Sequence, residues 1–308
     1  MEKKVSVVIV TYNSDKHIYD CLDSVFKHND IGDALEVIIV DNQSENFKNI
    51  KERLEKQYNG RLVILENNRN GGYGQGNNVG IRAASAPIVL IMNPDVRLLE
   101  PIFKNALDAF RNPKVVQYGV RALNKDGKNF NSIGISEQIH PFVRLPLHSI
   151  CNKTGWFFQK YMYLIGACFF IRKSSFEEVG LFDERIFMYG EEDDIHYRLL
   201  KKNKQYKFIF DSSHSYTHLH SLYAQTKKFD DVKGETLCLN SYLLLLSERG
   251  IPKRSIINSF IRQTQIRLFK AKMKSIITNN GCNIDEIQHL ELWLLLLKKE
   301  QQKYIDNI

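Results

Sequence analysis

Ile88-Val89-Leu90-Ile91-Met92 runs straight into Asn93-Pro94-Asp95, and that junction is the strongest architectural signal in the chain. A short, unbroken apolar run suits a strand buried on both faces. A proline then turns the chain, and a carboxylate stands at the strand's carboxyl end. The pattern recurs upstream. Val5 to Val10 is a β-branched run followed by Thr11-Tyr12-Asn13, and Leu35 to Val40 is followed by Asp41-Asn42. Arg61 to Leu65 reads as another strand. Between these runs, Ile18, Leu22, Val25 and Phe26 recur at helical spacing behind Ser14, a candidate cap. Phe47 to Tyr58 and Asn77 to Ala84 also read as helices. Alternating strands and helices predict an α/β fold with a mostly parallel central sheet and helices on both faces. Ligands of such sheets sit beyond the carboxyl ends of the strands. Thr11, Tyr12, Asn13, Asp41, Asn42, Asn93 and Asp95 all fall there.

Further along, Asn124 to Gln159 mixes Gly, Asn, Pro and aromatic residues without a clean period. It reads as a long excursion with some strand character. Tyr161 to Arg172 is strand-like, and Ser174 or Ser175 caps a short helix that ends at Gly180. Glu191 to Lys202 is a helix with acids in its first turn and Lys201-Lys202 in its last, which suits the helix dipole. From Gly234 onward the pattern is helical, including Trp293 to Leu297.

At 308 residues and 43% hydrophobic content, the chain can bury one large core, or one core plus an appendage. No apolar stretch reaches the roughly 18 residues of a membrane span. The apolar segment after Met1-Glu2-Lys3-Lys4 is too short for a signal-peptide core. The five scattered cysteines form no Cys-x-x-Cys pair, so reduced thiols in a cytoplasmic protein are expected. Of the net charge of +8, much sits in residues 251–280, where Lys253, Arg254, Arg262, Arg267, Lys270, Lys272 and Lys274 occur with no acid. The plain reading is a solvated helix face. The sharper one is a surface that meets an anionic partner such as a membrane. Few aromatic residues accompany these charges, which argues against nucleic acid.

Asn70-Gly71-Gly72-Tyr73-Gly74-Gln75-Gly76-Asn77-Asn78-Val79-Gly80 invites a dinucleotide reading and fails it. Gly72 and Gly74 are spaced correctly, but Asn77 stands at the third glycine position, and no P-loop occurs. The glycines are expected to let backbone approach a ligand before a short helix. Asp95 is a candidate ligand for Mg²⁺ or Mn²⁺, which take oxygen donors and borrow the rest from substrate phosphates. His214, His218 and His220 share one face if their segment is a strand, which makes His218 or His220 a candidate partner of Asp95. Glu191-Glu192-Asp193-Asp194 exceeds what helix capping needs. Repulsion within the quartet would raise the pKa of a member, as a general base requires.

Together these residues resemble family 2 glycosyltransferases of the GT-A fold, over roughly residues 5–220. The resemblance rests on Val7 to Asn13, Val40 to Ser44, Asn70 to Gly80, Asn93 to Val96, and Gly166 to Phe170 leading through Gly180 to Glu184 and Met188 to Glu192. The nearest subgroup is similar to rhamnosyltransferases of bacterial surface-polysaccharide assembly. The resemblance implies a donor half at about 1–123 and an acceptor half at about 124–233 within a catalytic domain, 1–233. A helical extension follows, 234–308. It implies an inverting, metal-dependent transferase that moves a sugar from dTDP-rhamnose or a UDP-sugar to a glycan or polyprenyl-diphosphate-linked acceptor. Thr11, Tyr12, Asn13, Asp41, Asn42, Gly72, Asn78 and Asn93 would line the nucleotide-sugar site. Asp95, with His218, would hold the cation. The family's Glu-Asp pair falls on Glu191-Glu192, so Glu192 is the first candidate base and Glu191 or Asp194 the alternatives. Asn93 stands where many relatives carry Asp.

Two other functions would suit a similar sheet. A nucleotidyltransferase needs a basic glycine-rich loop after the first strand, and this chain has Thr11-Tyr12-Asn13-Ser14-Asp15 instead. A non-catalytic nucleotide-sugar-binding subunit of a polysaccharide assembly complex would bind donor without transferring or hydrolysing it.

Overall fold

The computed structural model describes residues 2–136, 139–219, 232–278 and 284–304. In chain order the elements are β1 (Val5–Thr11), α1 (Ile18–Lys27), β2 (Leu35–Asp41), α2 (Phe47–Tyr58), β3 (Val63–Glu66), α3 (Gly72–Ala83), β4 (Ile88–Met92), β5 (Val96–Leu98), α4 (Phe103–Phe110), β6 (Val115–Leu123) and β7 (Ile133–Ile135). Then come α5 (Pro141–Thr154), β8 (Met162–Leu164), β9 (Cys168–Arg172), α6 (Lys173–Glu178), α7 (Glu191–Lys202) and β10 (Lys207–His218). The last three helices are α8 (Lys233–Glu248), α9 (Lys253–Thr278) and α10 (Ile284–Gln302).

The described residues fall into two compact units. One holds those of 1–136, 148–187 and 191–220, and the other those of 137–147, 188–190 and 221–308. The first is built on an eight-stranded sheet in the order β3-β2-β1-β4-β9-β6-β10-β5. β3, β2, β1, β4, β6 and β10 run one way, and β9 and β5 run against them. The alternation of side chains sends Val5, Val7 and Ile9 into one core and Val8 into the other. Helices α1, α2 and α4 cover the first face, with Leu22, Leu54 and Phe103. Helices α3, α6 and α7 cover the second, with Ile81, Phe176 and Ile195. Both faces are covered, so the strands read as continuous apolar runs.

Local expectations failed where tertiary contacts override propensity. Ser14 does not cap α1. Its hydroxyl turns back to the Tyr12 carbonyl at 3.1 Å, and its own carbonyl takes the N–H groups of His17 and Ile18. Neither Ser174 nor Ser175 caps α6, whose N-cap is Arg172. Helix α3 starts at Gly72, five residues before the expected Asn77. Each helical glycine costs about 1 kcal/mol against alanine, which is why the segment reads as a loop. Packing outweighs that cost. A Cβ on Gly76 would lie 2.7 Å from Val10 and from Asn42, and one on Gly80 would lie 2.4 Å from Val8. Only a glycine face lets α3 lie that close to β1 and β2.

The excursion at 124–159 contains α5, a helix that the sequence hides behind Pro141 and the internal Pro146. In its second half Asn152 stitches the neighbouring edge, accepting the N–H of Ser132 at 2.6 Å and of Ile133 at 3.0 Å. Tyr161 to Arg172 is two strands in two sheets: β8 pairs with β7, and β9 sits between β4 and β6.

In the second unit α8, α9 and α10 share a core of Tyr242, Leu246, Ile257, Phe260, Trp293 and Leu297. The apolar residues of the basic run therefore divide. Ile257, Phe260 and Ile261 are core, whereas Phe269, Met273 and Ile276 are 67%, 41% and 73% exposed among the cations. Among the described residues no helix is long and apolar enough to cross a membrane.

Candidate active site

The carboxyl ends of β1 and β2 are laced together by one carboxylate. Asp41, buried, accepts Thr11 Oγ1 at 3.0 Å, the Ser44 N–H at 2.8 Å and the Ser44 hydroxyl at 2.6 Å. Asn13 and Gln43 take left-handed backbone, with φ of 50° and 66°, which tightens the two loops. Asn13 also donates its N–H to Ser44 Oγ and accepts the Glu45 N–H. Tyr12 presents an exposed ring beside this lacing.

Three sequence candidates are used inside the protein. Asn42 donates to the Gly72 carbonyl at 2.9 Å and accepts from Asn67 at 2.9 Å. Asn78 is fully buried; it donates to Phe182 O and Glu184 Oε1, and accepts the Phe182 N–H. Gly72 combines a φ of 87° with a close approach to the Phe187 carbonyl, 2.1 Å from where a Cβ would lie. The glycine's freedom serves the protein's own backbone rather than a ligand's. The described contacts of these three are with the protein's own backbone and side chains.

Asp95 stands at the turn after β4. Asn93 fixes the turn by donating its N–H to Ala167 O and accepting that of Val96. The Asp95 carbonyl takes the Leu219 N–H at 3.0 Å, and its Oδ1 lies 3.4 Å from His218 Nε2. β10 delivers that imidazole because His218 pairs opposite Val96 on β5. Behind the pair, the Cys21 thiol touches Asn93 O at 3.6 Å, and burial pushes its pKa up to about 12. That makes it a packing group at neutral pH. His214 does not join the pair. β10 shifts register between Asp211 and Ser215, and His214 bonds Asp211 at 2.8 Å and Asn105 at 2.6 Å. His220 lies outside the described residues.

The acidic quartet divides sharply at the head of α7. Asp194 is paired with Arg198, at 2.7 Å to Nε and 2.6 Å to Nη2. Its carboxylate is thus engaged within α7, one turn from its partner. Glu191 and Asp193 are buried. Glu192 Oε1 accepts the Gly166 N–H at 2.9 Å, and the Gly166 carbonyl accepts the Tyr73 hydroxyl at 2.5 Å. Burial raises the Glu192 pKa above the ordinary carboxylate range; the backbone N–H groups of Glu192 and Gly166 pull against it, and the Asp193 charge adds to it. A Cβ on Gly166 would lie 2.2 Å from Oε1, so the glycine makes room for the carboxylate.

Tyr216 is buried on β10, and burial raises its pKa, with Cys168, Asp95 and Glu192 raising it further. Gly166, Tyr73 and Tyr216 were missed from sequence. Gly166 opens one of the blocks that carry the family resemblance, but nothing local gives it a role, and only the fold brings the other two to the site.

Among the described residues no group of three His, Cys, Asp or Glu side chains converges on one metal position. The Asp95–His218 pair nevertheless suits a divalent cation. The buried carboxylate oxygen suits either Mg²⁺ or Mn²⁺, and the facing imidazole nitrogen suits Mn²⁺ better than the harder Mg²⁺, with substrate oxygens left to complete the shell.

The sequence profile of glycosyl transferase family 2 matches residues 6–180. The chain belongs to that family. Among family 2 relatives, the low-salt glycan biosynthesis hexosyltransferase Agl10 of Haloferax volcanii is 25% identical over 65% of this chain and 62% of its own. The N-acetylglucosaminyl-diphospho-decaprenol L-rhamnosyltransferase of Mycobacterium tuberculosis is 28% identical over 65% of this chain and 72% of its own. The chain spans less than two thirds of the first of these. Of solved structures, the mannosyltransferase PcManGT of Pyrobaculum calidifontis, in complex with GDP-Man and Mn²⁺, aligns over 96% of this chain and 70% of its own, at 17% identity and a TM-score of 0.53. GalNAc-T7 with UDP, GalNAc and Mn²⁺ aligns over 79% and 48%, at 18% identity and a TM-score of 0.61. At such identities the likeness concerns the fold, and it is the GT-A architecture that the family resemblance implied.

Proposed function

We propose that this family 2 chain is an inverting glycosyltransferase that uses a nucleoside-diphosphate sugar. The reading is carried by the Asp95–His218 pair and by Glu192 at the head of α7. Thr11, Tyr12, Asn13 and Asp41 would receive the nucleoside at the ends of β1 and β2, and Asn93 would flank the diphosphate. Asp95 and His218 would hold a divalent cation, which supplies charge stabilisation for a departing diphosphate. Glu192 would take the acceptor hydroxyl proton while the acceptor oxygen attacks the anomeric carbon. The carbon–oxygen bond to the diphosphate breaks on the opposite side, and its electron pair leaves with the nucleotide. Gly166 N–H holds the carboxylate oriented, and burial keeps it basic enough to accept a proton.

The L-rhamnosyltransferase relative favours a rhamnose donor, for which dTDP-rhamnose is the first to try, and a diphospho-polyprenol-linked glycan as acceptor. A UDP-sugar is the other donor to try. The experiment is a panel of dTDP-, UDP- and GDP-sugars with Mg²⁺ or Mn²⁺, read as released nucleoside diphosphate. No release from any donor, with nucleotide still bound, would favour a non-catalytic subunit.

The same reading puts the chain to work at the cytoplasmic face of a membrane. Phe269, Met273 and Ile276, exposed beside Arg267, Lys270 and Lys274, support contact with an anionic surface, where each cation contributes about 1 kcal/mol. Co-sedimentation with anionic vesicles should fall as salt rises and on reversal of the Arg267, Lys270 and Lys274 charges. Absence of binding at low salt would rule the contact out.

A further inference from the structure

The turn between α8 and α9 builds a cavity that the sugar-transfer site does not use. Helix α8 ends in a paired cap: the Gly250 N–H reaches Ser247 O at 3.0 Å, and the Ile251 N–H reaches Leu246 O at 2.9 Å. Gly250 takes a φ of 83° there, and Pro252 then starts α9, its carbonyl accepting the N–H groups of Ser255 and Ile256. The reversal leaves a cavity of about 450 Å³ inside the helical unit. Leu246, Ile251, Ile256 and Phe260 form its apolar wall. Arg249, Arg262, His140, Ser255 and Ser259 form its polar side. No carboxylate is among its described lining residues.

Two observations narrow the ligand. Arg262 Nη1 lies 3.0 Å from His140 Nε2, a neighbour that carries no negative charge. Ser259 Oγ is buried with no hydrogen-bond partner, a donor and acceptor left for something inside the cavity. Two guanidiniums and two hydroxyls suit a phosphate or diphosphate. The aliphatic and aromatic wall suits hydrocarbon. One molecule satisfies both: a phosphorylated amphiphile whose charged group meets the arginines while its chain lies along Leu246, Ile251, Ile256 and Phe260.

We infer that this cavity binds the phosphate end of a prenyl-type lipid. The inference rests on the lipid-linked acceptor proposed above, whose carrier has that chemistry.

The probe is farnesyl diphosphate, titrated calorimetrically into the full chain with excess UDP present to fill the nucleotide site. Inorganic pyrophosphate and farnesol are the comparison ligands. Farnesyl diphosphate should bind saturably, and at least about 10-fold tighter than pyrophosphate because only it reaches the apolar wall. The Arg249→Ala/Arg262→Ala pair should weaken it about 100-fold or more, since each charge-assisted contact is worth about 10-fold upward. Ser255→Glu, an exposed change at the rim, should weaken it as well without disturbing the core. UDP affinity should be unchanged in all these variants. Equal affinity for pyrophosphate would make the cavity a plain anion site and overturn the inference. So would undiminished farnesyl diphosphate binding in the variants, or none in the parent. Failure of the parent to bind UDP or release nucleotide would instead count against the transferase reading, because the helical cavity takes no part in either.

Discussion

Glu192→Gln should bind donor as the parent does and lose about 10²–10⁴-fold in transfer rate, the usual worth of general-base assistance. The amide keeps an oxygen to accept the Gly166 N–H, so the local geometry survives. What disappears is the lone pair that takes the acceptor proton. Gly166→Ala should reproduce much of the loss by another route, since its new methyl would occupy the position of the Glu192 carboxylate. The pH profile supplies an independent check. Burial raises the Glu192 pKa, so the base ionises at a higher pH than a free glutamate. The rate therefore falls as pH drops through that raised value, and the acidic limb of kcat/KM lies above the ordinary carboxylate range. The residual rate of Glu192→Gln should lack that limb. If Glu191→Gln gives the larger loss, the base has been assigned to the wrong residue.

Asp95→Ala should fold and bind nucleoside weakly, but turn over at least about 10²-fold more slowly at saturating Mn²⁺, by analogy with the loss of one fixed charge-stabilising contact. Folding should survive because the turn depends on backbone. The Asp95 carbonyl and the Asn93 N–H and carbonyl carry the hydrogen bonds, and alanine keeps all of them. The Asp95 carboxylate Oδ1 lies 3.4 Å from His218 Nε2, a contact that alanine removes without touching those backbone bonds. Steady-state kinetics across a Mn²⁺ titration, alongside a thermal melt, separates the cases. Parental turnover in Mn²⁺ would remove Asp95 from the cation site.

Elements held by local signals were legible from sequence. Helix α2 at Phe47–Tyr58, strand β4 at Ile88–Met92 and helix α7 at Glu191–Lys202 match their expected bounds. Periodicity, an apolar run and end-charge placement are properties of the segment itself. Helix α3 was misjudged because its glycines disfavour a helix locally, and are useful only once Val8, Val10 and Asn42 lie against them. The split of Tyr161 to Arg172 was hidden for the same reason: only pairing partners reveal that β8 and β9 belong to different sheets.

The site shows a similar division. The contact between Asp95 and His218 was legible, because Asp95 directly follows the apolar run of β4 and His218 ends the strand that pairs beside it. Tyr73, Gly166 and Tyr216 were not, because their roles depend on contacts across 93 residues in one case and on electrostatic proximity in the other. Asn78 was legible as a polar residue in a characteristic block, yet the fold spends its amide on Phe182 and Glu184. A polar side chain in a motif can serve the scaffold as readily as the substrate. Asp194 likewise forms an ion pair with Arg198, one helical turn away.

The central claim is a single displacement, with Glu192 as base and no covalent sugar–enzyme intermediate. Proton NMR of the product's anomeric signal, recorded in the first minutes of reaction with a donor of known anomeric configuration, tests it most directly. The account predicts that the new glycosidic bond has the opposite configuration to the donor's bond. A product that retains the donor's configuration would contradict it.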